Sequence, residues 1–285
     1  MRWGVEKRLE FIEFRLFWEG GINRADIINL FGVSVPQASK DLTLYEEKAP
    51  GNLLYDKSAK LYRAAKEFKP VFMEPKADAY LAQLQSPGGP DAGSSELWLA
   101  TPPEFDAMPI PHRRIDVAVL RSILAAIRES QSLEIRYQSM SEKRPTPDWR
   151  RFTPHALGND GLRWHARAYC HEDRKFKDFI LSRCLAARSF QEPGARPEDD
   201  SLWHNSFAVA LAPNPVLSAG QQEIIAQDFG MHGGRAEIPV RRALLYYFQK
   251  RLRLDVSDVL DNPYEKPVVV ANRAEFDAAL AEAMR

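Results

Sequence analysis

The fold of this chain is decided by residues 23–45, NRADIINLFGVSVPQASKDLTLY. Asn23 predicts the N-cap of a first helix, and Gly32 ends that helix where a residue with positive φ is favoured. Ser34 restarts the chain as a second N-cap, with Gln37 at capping-box spacing and Pro36 in the tolerant first turn. The stretch therefore predicts two short helices around a tight turn.

The second of these helices has two faces of different chemistry. Val35, Ala38, Leu42 and Tyr45 repeat at helical spacing, which predicts that they face the core. The opposite face and its flanks, where Asp41 also falls, carry the residues predicted to contact DNA: Ser34, Pro36, Gln37, Ser39, Lys40 and Thr43. A helix-turn-helix places its second helix in the major groove, where early residues meet base edges. We interpret the stretch as such a motif.

Residues 53–62, LLYDKSAKLY, predict two short strands joined by a polar tip that carries Lys57 and Lys60. A helix-turn-helix followed by a hairpin is a winged helix, and a basic tip suits phosphate or minor-groove contacts. A plain helical hairpin, or an adaptor with a degenerate winged helix, is the alternative. It is disfavoured because Gln37, Lys40 and both wing lysines stand where DNA contacts belong. We therefore predict a winged helix-turn-helix domain over residues 1–85.

The whole chain has the composition of a cytoplasmic protein of several domains. Its 285 residues suffice for two or three domains, and 39 basic residues balance 39 acidic ones. A neutral chain argues for local basic surface and site-specific contact, not for non-specific coating of nucleic acid. No apolar run approaches a membrane span, the first residues lack a signal-peptide core, and two cysteines make no disulfide framework. We expect no membrane partner.

The chain after the winged helix alternates between polar and periodic segments. Residues 86–115 read as a linker, beginning with SPGGPDAGSS. A helix from Asp116 and closely spaced strand-like runs at residues 133–137, 150–157, 162–171 and 176–190 predict a small, strongly bent sheet or barrel over residues 116–192. Residues 203–285 alternate strand and helix, which predicts a compact α+β extension.

The order TPHALGNDGLRWHARAYCHEDRKFKDFILSRCLAARSF at residues 153–190 resembles the WYL domain, named for a Trp-Tyr-Leu tripeptide. Trp164-His165-Ala166 stands at that tripeptide, so only the tryptophan matches, while RWHARAYC and FKDFILSR carry the likeness. The whole chain is similar to the winged-helix WYL regulators encoded beside BREX and CBASS phage-defence islands, the BrxR/CapW-like family.

The resemblance implies an α+β multidomain fold: an N-terminal winged helix-turn-helix, a central Sm/SH3-like β-barrel that senses a ligand, and a C-terminal α+β extension that helps dimerisation. It implies a homodimeric repressor of its own phage-defence operon, bound to an inverted repeat in double-stranded operator DNA. An activator of the same architecture is the alternative. The effector implied is a nucleic acid or nucleotide.

The residues of the WYL segment support a sensor on their own terms. His165, Arg167 and Tyr169 share one strand face, and such a face is poor core material but suits anions and bases. The full set of predicted ligand contacts is Tyr137, Ser139, Arg150, Arg151, His155, His165, Arg167, Tyr169 and Arg183.

An enzyme is the remaining alternative, with His155, His165, His171 and the two cysteines, Cys170 and Cys184, as metal ligands. Their spacing does not match a structural zinc site. The chain also has no P-loop, no nucleophile elbow and no dinucleotide fingerprint. We therefore predict no catalytic residues, no metal and no cofactor.

Overall fold

A computed structural model describes residues 3–85, 98–254, 262 and 264–284. It divides into two compact units, Met1–Pro109 and Ile110–Arg285. The predicted glycine- and serine-rich start of the linker, residues 86–95, lies outside the described residues. Each unit is described by itself below. In the described ranges, no helix is both long enough and apolar enough to cross a membrane.

Among its described residues, the first unit contains four helices and a small antiparallel sheet. The helices are α1 (Trp3–Glu19), α2 (Arg24–Phe31), α3 (Val35–Lys48) and α4 (Ala77–Leu84). The strands are β1 (Gly21–Ile22), β2 (Leu53–Asp56) and β3 (Leu61–Ala64), in the order β1-β3-β2. Large apolar side chains of α1, α2 and α3 form its core. This is the winged-helix architecture that the sequence predicts.

The turn between α2 and α3 forms as the sequence predicts, with one exception. Asn23 and Asp26 cap each other's backbone at the start of α2, and Gly32 ends it with φ of 62°. The side chain of Ser34 accepts from the Gln37 backbone N–H, but the reciprocal half of the predicted capping box is missing. The Gln37 side chain instead donates to Asp41.

The predicted core face of α3 is wrong at one position. Ala38, Leu42 and Tyr45 are buried, but Val35 is 58% exposed. Val35 is the first residue of the helix, and a helical side chain leans toward the N-terminus. Its side chain therefore reaches past the end of the interface that α3 forms with the core.

Part of the predicted linker is packed on the first unit. Trp98 lies edge-to-face with Phe14 at 5.4 Å between ring centroids. The backbone N–H groups of Ala100 and Thr101 donate to the Glu19 carboxylate. These contacts fasten residues 98–101 to α1.

The second unit begins with one helix and a five-stranded antiparallel sheet. These are α5 (Val117–Glu129), β4 (Ser132–Tyr137), β5 (Asp148–Asn159), β6 (Trp164–Cys170), β7 (Lys175–Ile180) and β8 (Cys184–Gln191). The order is β7-β6-β5-β4-β8, and no pairing joins the edge strands β7 and β8 in the described residues. The sheet is therefore open there, and the predicted closed barrel is not confirmed.

The single strand-like run predicted at 176–190 is two strands. A 3-10 turn at Leu181–Arg183 separates β7 from β8 and buries Leu181. The chain thus leaves the β7 edge and returns at the other edge beside β4. Apolar periodicity does not distinguish a continuous strand from two strands joined by so short a buried turn.

The rest of the second unit is a smaller α+β layer. Its strands are β9 (Ser206–Pro213), β10 (Ala236–Arg241) and β11 (Val268–Val270), and its helices are α6 (Ser201–His204), α7 (Ala219–Asp228), α8 (Leu245–Arg251) and α9 (Arg273–Ala283). The strands pair in the order β10-β9-β11. The predicted helix at 242–252 begins as a 3-10 turn at Arg242–Leu244.

Candidate DNA-binding and ligand-binding sites

The N-terminal half of α3 offers an outward polar surface. Four of the predicted DNA-contacting residues are exposed: Ser34, Pro36, Lys40 and Thr43. The other two on the helix, Gln37 and Ser39, are half-buried. Glu46 and Glu47 are exposed near the C-terminal end of the helix. Because carboxylates repel phosphate, the part of this surface from Ser34 to Thr43 is the better suited to approach DNA.

A buried carboxylate holds α3 in place. Tyr45 of α3 donates its hydroxyl to Glu13 of α1 at 2.9 Å, and Asn52 donates to the same hydroxyl. Glu13 also accepts three backbone N–H groups from the segment after the wing, those of Val71, Phe72 and Met73. Burial raises the pKa of Tyr45, so the phenol keeps the proton that it donates. These bonds fix α3 against α1.

A second tether reaches α3 from α1 and was missed in the sequence. Asp41 is buried and accepts from Arg8 Nε at 2.6 Å. It also accepts from the Gln37 side chain at 2.9 Å. Apolar periodicity placed Asp41 on the polar flank of α3, because nothing in its spacing reveals that an arginine 33 residues earlier lies beneath it.

The wing tip is held in shape by Asp56. Its carboxylate accepts from the Ser58 hydroxyl at 2.6 Å, from the Ser58 and Ala59 N–H groups, and from Arg63 Nε. These bonds, the Ser58 hydroxyl bond foremost, lower the pKa of Asp56. Lys57 and Lys60 are exposed at the tip as predicted. Arg63, also exposed, adds a wing cation that the sequence prediction missed.

In the WYL segment, β6 alternates as predicted. Its alanines and Cys170 line the core, while His165, Arg167 and Tyr169 occupy the opposite face. That face is covered, however, and the His165 and Arg167 side chains are buried. It therefore lies beneath other residues of the same unit.

Three carboxylates neutralise this covered face. Arg167 pairs with Asp200 at 2.7 Å and with Asp178 at 3.3 Å, and His165 Nε2 lies 3.0 Å from Asp160. His155 Nε2 lies 2.9 Å from the same Asp200 carboxylate. Burial opposes ionisation of Asp200, but the hydrogen bonds from His155 and Arg167 outweigh it and lower its pKa to about 2.

Beside this network lies a cleft of about 630 Å³. Its walls include Tyr169 and Arg174 from the WYL segment and Tyr246 from α8. Tyr169 packs edge-to-face with Phe176 at 5.4 Å. The cleft therefore offers aromatic surface, and Arg167, one of the cations that line it, is already paired with carboxylates.

Four of the other predicted ligand residues lie near the end of β4. Tyr137 is buried on the core side of the sheet, with Arg183 beside its hydroxyl and the Arg150 guanidinium 5.6 Å from its ring centroid. Arg150 is 3% exposed and binds Asp148 through Nε, but its Nη2 has no partner in the described part of the chain. Ser139 follows two residues later and is half-buried. We call these four residues, Tyr137, Ser139, Arg150 and Arg183, the β4-end cluster.

Arg151 belongs to neither group. It pairs with Glu134 at 3.3 Å and donates to Ser132 and to the Ser189 carbonyl. The structure thus does not bring the nine predicted ligand residues together at one site. The sequence prediction grouped them because alternation shows which residues of one strand share a face. It does not show which residues of the neighbouring strands lie on that same face.

The five side chains considered as metal ligands have separate partners. His155 and His165 contact different aspartates, and His171 Nε2 lies 2.9 Å from the Thr153 hydroxyl. Burial raises the pKa of Cys170 to about 11 and that of Cys184 to about 12, so both remain thiols. Among the described residues, no group of three His, Cys, Asp or Glu side chains is placed to hold a metal ion.

An outward helix-turn-helix with a basic wing defines the first unit as a winged-helix domain of the DNA-binding class. Family models agree along the chain: the BrxR transcriptional regulator winged helix-turn-helix domain matches residues 4–86. The WYL domain matches residues 118–189, and the BrxR C-terminal dimerization domain matches residues 206–276.

The similarity to individual relatives spans nearly the whole chain. A protein of Stenotrophomonas maltophilia named DNA-binding transcriptional repressor CapW is 38% identical, over 99% of this chain and 94% of its own. Proteins of the same name from Escherichia coli (strain KTE188) and Pseudomonas aeruginosa are each 39% identical, over 99% and 96% of this chain and 93% and 91% of their own. The chain belongs to the BrxR/CapW family of WYL-domain winged-helix transcriptional regulators.

Proposed function

We propose that this protein represses transcription as a homodimer bound to an inverted-repeat operator, and that an anionic effector at its WYL domain modulates the binding. The observation that carries the proposal is the outward polar surface of α3, fixed from behind by Glu13 and Asp41. A recognition helix must be held firmly and be polar toward the groove, and the buried contacts and exposed polar residues of α3 support both requirements. Relatives that are 38% and 39% identical to the chain are named repressors, which favours repression over activation.

The expected partner is double-stranded DNA in the cytoplasm. Lysines on α3 and on the wing supply the local positive charge that a neutral chain needs for this role. Two copies related by a two-fold axis would read half-sites about one helical turn, or a multiple of it, apart. The names of the relatives give no support to an enzyme.

We place the dimer interface on α7. None of its side chains is buried, and Ile224 is 62% exposed. Beside it, Tyr264 is 64% exposed, and the two line a shallow groove of about 330 Å³ with Leu217 and Pro267. A second copy is the expected occupant, because the family model that covers α7 is described as a dimerization domain.

We place the effector at the β4-end cluster. The Arg150 guanidinium retains an unpartnered N–H group there, with the Arg183 side chain and the Tyr137 ring close by. A guanidinium suits phosphate, so an anionic ligand such as a short oligonucleotide or a cyclic nucleotide has the required chemistry. Arg167 is the weaker candidate because two aspartates already neutralise it.

The test is footprinting of the purified protein on the promoter upstream of its own gene, with light scattering to measure its mass. We expect protection of one inverted repeat by a dimer. A monomer at micromolar concentration that protects no sequence would contradict the proposal.

A further inference from the structure

The Gln37 side chain is held in one orientation by its contact with Asp41. Gln37 Nε2 lies 2.9 Å from Asp41 Oδ1. The same carboxylate accepts from Arg8 Nε at 2.6 Å and from Arg8 Nη2 at 3.2 Å. Asp41 is 1% exposed, so this ion pair is sheltered from water. Arg8, Asp41 and Gln37 thus form a chain of contacts from α1 to the outward face of α3, which we call the α1–α3 tether.

The chemistry of the tether decides which end of the amide points away. A carboxylate in an ion pair offers only acceptors, so Gln37 must meet it with its NH₂ group. The amide oxygen Oε1 is then turned from Asp41, and no residue in the described ranges donates to it. The Gln37 side chain does not accept from the backbone N–H of Ser34, so it has no capping role at the start of α3.

An outward acceptor on a recognition helix discriminates among bases. In the major groove adenine presents an N6 amino donor and cytosine an N4 amino donor, whereas guanine and thymine present O6 and O4 acceptors at the corresponding positions. Oε1 would accept from the first pair and would face an oxygen of the second pair, with no donor between them. An untethered glutamine can rotate its amide by half a turn and serve either pair.

We propose that Gln37 is a specificity-determining residue that reads adenine or cytosine, and that Asp41 and Arg8 are the positioning residues that prevent its amide from turning over. This inference rests on the proposed operator binding. It adds a prediction for one base of each half-site: the base facing Gln37 carries an amino group in the major groove.

The test measures affinity for the footprinted operator and for all its single base-pair variants. Gln37→Leu, which leaves the buried ion pair intact, first identifies the base pair that loses its preference. At that position the wild type should prefer adenine or cytosine over guanine or thymine by about tenfold, within the range that a good base contact contributes.

Asp41→Asn is the decisive variant. An amide at position 41 can accept from Arg8 and donate to Gln37 Oε1, which turns the Gln37 NH₂ group outward. The preference at that one position should then fall by about tenfold or reverse, while preferences elsewhere in the half-site stay the same. A merely structural role for Asp41 would lower affinity for all the sites equally.

Arg8→Gln is the matched control. It breaks the same ion pair but leaves the Asp41 carboxylate to accept from Gln37, so the base preference should remain. Circular dichroism and melting temperature verify that both variants fold. If Asp41→Asn does not fold, the inference is still tested by the base preference of the wild type at the position that Gln37→Leu identifies.

Two results would overturn the inference: guanine or thymine preferred at that position, or an unchanged preference in folded Asp41→Asn. If the wild type binds no sequence specifically, the proposed operator binding fails first and the inference fails with it. Specific binding that is indifferent to Gln37 overturns the inference alone.

Discussion

Arg167 and Asp200 form a two-contact ion pair, with Nε 2.7 Å from Oδ2 and Nη2 3.0 Å from Oδ1. Arg167 lies on β6, and Asp200 caps the short helix α6 after the WYL segment. Both side chains are buried, and Tyr247 of α8 reaches the same network by donating to Asp178. The pair therefore fastens the C-terminal extension to the WYL sheet. Arg167 would retain Asp178 and Asp200 would retain His155, so removal of one partner leaves the other buried charge only partly compensated.

The first prediction concerns pH. The pKa of Asp200 is about 2, below its ordinary value of 3.8, so its stabilising contribution is present above about pH 4 and is lost as pH falls toward 2. That contribution is about 2 to 3 kcal/mol, because the pKa lies about two units below its ordinary value and one unit corresponds to about 1.4 kcal/mol. Asp200→Asn should lower the free energy of unfolding above pH 4 by at least this amount and flatten its dependence on pH below 4.

Urea titrations at several pH values measure both effects. Glu142→Gln, at an exposed position in the second unit and outside α7, is the matched control and should leave the free energy of unfolding nearly unchanged. Equal losses of unfolding free energy in Asp200→Asn and in the control would show that the Arg167–Asp200 pair adds no more stability than an exposed carboxylate does.

The second prediction concerns the wing. Lys57→Ala combined with Lys60→Ala should weaken binding to specific and random DNA alike, because phosphate contacts carry no sequence information. The slope of log affinity against log salt should become shallower by about 0.9 for each phosphate that the variant no longer neutralises. Fluorescence anisotropy from low to high salt measures the slope. Lys143→Ala, an exposed lysine in the second unit, should leave the slope unchanged; a wing variant with the wild-type slope would rule out the wing contact.

The third prediction concerns the dimer. Ile224→Asp should produce a monomer, because a charge buried at an apolar interface without a partner is costly. Val117→Asp is the control: Val117 is also an exposed apolar residue, but it lies on α5 and should leave the dimer intact. Analytical ultracentrifugation distinguishes the two. A dimer in both variants would place the interface elsewhere.

The sequence predicted the features that depend on neighbouring residues, and it missed those that depend on residues far apart in the chain. The capping residues Asn23 and Gly32 were readable because a helix end is fixed by its nearest neighbours. The burial of Asp41 was not, since it depends on Arg8 in a distant helix. The predicted ligand face of β6 was right in alternation, but its covering by Asp200 could not be read from strand periodicity. Ion pairs between residues far apart in the sequence therefore account for most of the features that the sequence did not predict.

The fourth prediction concerns the effector. Arg183→Ala should abolish the response of operator binding to effector, because it removes a cation from the β4-end cluster and leaves α3 untouched. A ligand regulates only through unequal affinity for the two states of the protein, so a variant that cannot bind the effector cannot respond to it. The assay titrates operator with and without short single-stranded oligonucleotides or cyclic dinucleotides. Arg128→Ala, at an exposed site on α5, is the control. An Arg183→Ala variant that responds like the wild type would exclude this cluster.

The fifth prediction, and the most direct test of α3 as the recognition helix, is the operator affinity of Lys40→Ala compared with that of the wild type and of Lys143→Ala. Lys40 is exposed on the outward face of α3, so its replacement should not alter the melting temperature. We expect Lys40→Ala to bind the footprinted operator about tenfold or more weakly, as removal of a base or phosphate contact predicts, with Lys143→Ala unchanged. A folded Lys40→Ala protein that binds the operator as tightly as the wild type would contradict the account.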